Sequence, residues 1–206
     1  MLNLLLLFAH LLGTSLALGA IVATDIRLLA RLADKRVRIP PPNAFVMRLI
    51  TVALVLLYVT GSALIVLGLG NDPEYLNANP KLQAKLVLVA ILSINALVLH
   101  HITFPGLAHG RRVARWRVLQ FARVAVPVAL SNSLWMYCAF LGIARPWSRT
   151  VSMEFVLTVG ALVFGATLAA VLAMLMLAAQ DRTEAEPGWI DSLKRKIGAL
   201  ADALKI

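Results

Sequence analysis

The sequence predicts an all-α fold: a polytopic membrane bundle of five transmembrane helices, followed by an amphipathic interfacial helix at the C-terminus. Three observations predict it. Of 206 residues 60% are hydrophobic and mean hydropathy is +0.83, which leaves too few polar side chains to cover a water-soluble domain. The apolar residues fall in five blocks, each as long as the ~20 residues that cross a bilayer as a helix. The basic residues sit between those blocks rather than within them.

The first block runs from about Leu2 to Leu29, with a polar end at Asp25 and Arg27. It has no basic leader and no obvious small-residue cleavage site. Its apolar run reaches Thr24, longer than a typical signal sequence, so it is expected to be retained as a helix. The second block spans about Ala44 to Leu69. Pro40, Pro41 and Pro42 stop any helix before it, and Gly68, Gly70 and Asn71 close it. The third runs from about Leu82 to Ala108, after the turn Asn79-Pro80. The fourth runs from Val118 to Ile143, with a kink expected at Pro127. The fifth runs from about Ser148 to Ala179, after Arg145-Pro146-Trp147. Residues 1–180 therefore form a transmembrane domain and residues 181–206 a tail. In that tail Trp189, Ile190, Leu193, Ile197, Leu200 and Leu204 recur at helical spacing. They predict a helix lying on the membrane surface or docked on a partner subunit.

Charge orients the chain. Six basic residues join spans one and two, five join spans three and four, and five lie in the tail, sixteen of the twenty in all. The other side has Lys81, Lys85, Arg145 and Arg149. The positive-inside rule places the sixteen in the cytoplasm, with the N-terminus outside a bacterial-type inner membrane. The net charge of +10 is thus explained by topology and anionic lipid, not by nucleic acid. The single cysteine, Cys138, excludes an intrachain disulfide and is expected to be inert packing. Neither CxxCH nor a nucleotide-binding glycine motif nor HExxH occurs, so covalent haem, nucleotide chemistry and zinc hydrolysis are unsupported.

Ionisable groups inside spans are costly and are functional candidates by default. His10 shares a helix face with Thr14, Ala17 and Ile21, small enough for a flat ring to lie on; its alternative role is a hydrogen bond to another helix. His100 shares a face with Ala96, Ser93, Val89 and Lys85. His101 points about 100° away from it, so the two cannot face one site squarely. His109 falls in the basic loop and is expected to be solvated. With span one centred near Gly13 and span three near Leu97, His10 and His100 differ in depth by about 9 Å in untilted helices, a gap that tilt reduces. Asn95 and Ser131-Asn132-Ser133 are expected to bond one another across helices. Glu154 is expected to pair with Lys85 or Arg149, or to relay a proton. Asp25 marks the membrane interface, and Trp135, Trp147 and Tyr75 are placed in the outer aromatic belt. The scattered glycines, at 13, 19, 61, 68, 142, 160 and 165, read as close helix packing.

Two stretches carry a family resemblance: Phe8-Ala9-His10-Leu11-Leu12-Gly13 with Asp25-Ile26-Arg27 further on, and the lysine-led span Lys81 to His101. Together they resemble the superfamily of CopD-like copper-resistance membrane proteins and the bacterial membrane-bound protoporphyrinogen oxidase. The resemblance covers about the first half of the chain. It implies a small helical bundle, haem b, and His10 and His100 as axial ligands, with His101 as a further metal candidate. A fifth span, a long tail and doubled histidines depart from that pattern. The expected function is a b-type haem protein passing electrons in the membrane, with Lys85 facing a propionate or substrate and quinone, oxygen or a porphyrinogen as partner. The alternatives are a non-catalytic subunit or assembly factor of a membrane complex and a small copper or ion transporter. Assembly into a homo-oligomer is left open.

Overall fold

The computed structural model describes residues 1–33, 39, 41–108, 113, 116–179, 193, 195 and 196. It contains five helices long and apolar enough to cross a membrane, as the blocks predict, and the chain is a multi-pass membrane protein. The elements are α1 (Leu2–Ala33), α2 (Ala44–Asn71), α3 (Pro80–Val98), a π turn (Leu99–Thr103), α4 (Phe104–Ala108), α5 (Val118–Ile143), a 3-10 turn (Arg145–Ser148) and α6 (Met153–Ala179). Local chemistry sets the ends. Asn43 accepts from the Phe45 N–H, and Asn79 accepts from Leu82 N–H with Pro80 in the first turn of α3. The last span begins at Met153 rather than Ser148. Arg145–Ser148 is a 3-10 turn, and the Ser152 hydroxyl accepts from the Phe155 N–H at the true start. The expected tail helix and His109 lie outside the described residues.

The helices form two layers. In one, α1 and α2 run antiparallel along their length. Their register brings Gly13 against Leu56 and Leu57, and His10 against Thr60 and Gly61. The predicted face of α1 is the one that packs: Ala17 and Ile21 are buried, as is Ala53 opposite them. In the other layer α5 packs between α3 and α6 and is the helix most enclosed by its neighbours. The core joins the layers through Ala17, Ile21 and Ala53 on one side and Leu88, Leu92, Leu134, Trp135 and Leu141 on the other. Trp135 is 5% exposed, so it belongs to this core and not to an aromatic belt. Trp147 does lie near the membrane end, stacked edge-on with Phe140 and Phe155.

The glycines divide. A Cβ at Gly13, Gly61, Gly68 or Gly160 would meet a neighbouring side chain, whereas at Gly19 and Gly165 it would meet nothing within 4 Å. Close packing therefore explains the first group and not the second. Gly160 is the tightest contact between α5 and α6. A Cβ there would lie 3.0 Å from the Tyr137 ring, and that ring is pinned because its hydroxyl donates to the Val156 carbonyl at 2.7 Å. Gly160→Leu is expected to cost about 1–3 kcal/mol by overpacking. A thermal melt in detergent reads this as a drop of several degrees; an unchanged midpoint would contradict the packing.

Proline 127 shapes the contact between α3 and α5. It lacks an N–H, so the Arg123 carbonyl one turn back has no helical donor. Thr103, 2% exposed, fills the gap by donating its hydroxyl to that carbonyl at 3.0 Å. Asn95, 4% exposed, donates to the Pro127 carbonyl at 2.9 Å. Asn95 thus bonds the backbone at the proline rather than the Ser131–Ser133 cluster.

Candidate functional site

His10 is held by α2. Thr60 donates its hydroxyl hydrogen to the Leu56 carbonyl at 2.7 Å, so towards the ring its oxygen can only accept. With the Thr60 hydrogen on Leu56, His10 Nδ1, 2.8 Å away, carries the ring proton and Nε2 keeps its lone pair. No described residue bonds Nε2, and it is not a sealed polar atom. Gly61 packs against the ring, where a Cβ would come 3.3 Å from Cε1. A histidine whose second nitrogen is oriented by a hydrogen bond is the arrangement metal ligands use.

Lys85 approaches from α3. Its ammonium lies within electrostatic reach of His10 and of the buried Cys138 thiol, and it stands 3.9 Å from where a Cβ of Gly142 would be. No carboxylate among the described residues pairs with it. A lone cation in a span costs about 2.5–3.5 kcal/mol on insertion scales, so an unpaired one at this point is a prepared site for an anion. The α3 face of Lys85, Val89 and Ser93 looks towards α2. There Ser93 donates to the Val89 carbonyl, so the Tyr58 hydroxyl donates to Ser93. Although α2 packs mainly on α1, these polar groups lie where the two layers meet.

The structure does not bring His10 and His100 together. Through α2, His10 at Thr60 and Ser93 at Tyr58 lie close to one level, and His100 is seven residues beyond Ser93 along the chain, about 10 Å of helix. His100 and His101 are both exposed on the π turn, their rings edge-on with centroids 5.1 Å apart. Asp25 is part-buried near the end of α1, with Asn132 of α5 close to its carboxyl. Glu154 is exposed and pairs with neither Lys85 nor Arg149, because Arg149 reaches Asp72 at 3.4 Å, in the turn after α2. Among the described residues no three of His, Cys, Asp and Glu gather to hold a metal ion.

These positions test the fit of a haem. No described contact brings His10 together with His100 or His101 as a ligand pair. Attachment through His10 alone would use its Nε2, with Lys85 as the cation for a carboxylate. Sequence reasoning missed Thr60, Tyr58 and Gly61. The signal for Thr60 was a hydroxyl inside the second span, but its partner depends on the α1–α2 register. No family model, no curated protein and no solved structure matches the chain.

Proposed function

We propose that the chain is a b-type haem protein of the membrane, holding the group where α1–α2 meet α3. Supporting this is the Thr60-oriented His10 with a free Nε2 beside the unpaired Lys85. His10 would hold the iron and Lys85 a propionate, and the group would supply one-electron redox chemistry. The chain's own residues do the rest: Thr60 orients the imidazole, Gly61 leaves room beside the ring, and Tyr58 and Ser93 bridge the layers. The resemblance to the CopD-like superfamily points the same way, with one of its two histidines in place. In this reading the arginine-rich end faces the cytoplasm, and the haem lies in the outer half of the membrane, where a quinone or a periplasmic donor reaches it.

The test is an absorption spectrum of protein expressed with ample haem, oxidised and then dithionite-reduced. A Soret band that shifts on reduction, with α and β bands appearing, is the expected result. A flat visible spectrum would end the proposal and leave a subunit or transporter role.

A further inference from the structure

The opposite end of the bundle holds a second site, independent of the first. A cavity of about 270 Å³ lies where the π turn and α4 meet the start of α5, lined by Thr103, Gly106, Leu107, Trp116, Gln120 and Arg123 among others. Its walls run into the apolar cluster of Leu107, Trp116, Val124 and Leu175. Its polar groups are donors. Gln120 spends its carbonyl oxygen on the Arg117 N–H, which leaves its amide hydrogens, and no described residue accepts from them. Thr103 has already spent its hydroxyl on Arg123. Neither Arg123 nor Arg117 has a carboxylate partner among the described residues. Unmatched donors and cations over apolar walls, at the end of membrane-spanning helices, call for an amphiphilic anion.

We propose that this cavity binds the phosphate of an anionic phospholipid, with its acyl chains running along α3 and α5. Phosphate oxygens would accept from Gln120 and Arg123, and the lipid tails would continue the apolar wall. A free phosphate would satisfy the donors but leave that wall bare.

The experiment is a thermal melt of the full chain in neutral detergent with added phosphatidylglycerol, phosphatidylcholine or inorganic phosphate. Two variants accompany the wild type. Arg123→Gln removes the cation. Gly106→Leu fills the cavity, and a Cβ at Gly106 starts in open space, so this variant keeps the fold. Phosphatidylglycerol at about ten times its dissociation constant is expected to raise the wild-type midpoint by about 3–5 °C. It is expected to bind Arg123→Gln about fivefold more weakly and to leave Gly106→Leu unmoved. The proposal is overturned if phosphatidylcholine or phosphate alone stabilises as well, or if both variants respond like the wild type.

Discussion

His10→Ala is expected to remove haem absorbance altogether, while His100→Ala and His101→Ala leave it intact. The contrast follows from position. His10 presents a lone pair from a fixed ring, whereas the other two lie on the exposed π turn, His100 about 10 Å of helix beyond Ser93. The orienting residues grade the loss. Thr60→Val keeps the shape and deletes the hydroxyl that receives the Nδ1 proton, so the ring is free to turn and change tautomer. Loss of such a partner typically lowers affinity by about 10–100-fold. Lys85→Gln keeps the ligand and removes the cation, so the spectrum keeps its shape while haem is lost more readily on dilution. The measurement is haem retained per protein after size-exclusion chromatography. A His100→Ala variant that loses its haem while His10→Ala keeps it would reverse the assignment.

The sequence made the helices legible because membrane spans are read from length and apolar content, and those survive packing. α2 and α5 fall within about two residues of their expected bounds for that reason, helped in α2 by the Asn43 cap. The face of α1 that carries His10 was also legible, since helical periodicity alone places Thr14, Ala17 and Ile21 beside it. What periodicity cannot give is depth and register between helices. The partner of His10 depended on an offset between α1 and α2 set by Gly13, Ala17 and Ala53, small residues that fit several offsets equally well. Trp135 went to the core because α5 is central, and centrality is a property of the whole bundle. Around Pro127, however, a sharper reading was available. A proline inside a span always leaves one carbonyl unpaired, so a hydroxyl or amide on a neighbouring helix was to be expected.

That pairing gives the second large effect. Thr103→Val preserves volume and strips the donor from the Arg123 carbonyl, leaving a buried acceptor unpaired. The loss is expected to be about 1–2 kcal/mol, set by the penalty for an unsatisfied buried group and reduced by the modest worth of such bonds in membranes. Asn95→Leu is expected to cost less, because the Pro127 carbonyl keeps its helical donor, the Ser131 N–H, when the Asn95 amide is removed. Pro127→Ala separates the two. It restores the N–H at position 127, so the Arg123 carbonyl regains a helical donor and no longer needs Thr103. It leaves the carbonyl at position 127 with the same two donors, the Ser131 N–H and the Asn95 amide. A double-mutant cycle on stability in detergent should therefore show strong coupling between Thr103→Val and Pro127→Ala, with the second change rescuing the first. The same cycle with Asn95→Leu should be close to additive. Equal rescue of both, or of neither, would mean that the hydroxyl is not there to answer the proline. The π turn that carries Thr103, and turns His100 and His101 outward, would then need another cause.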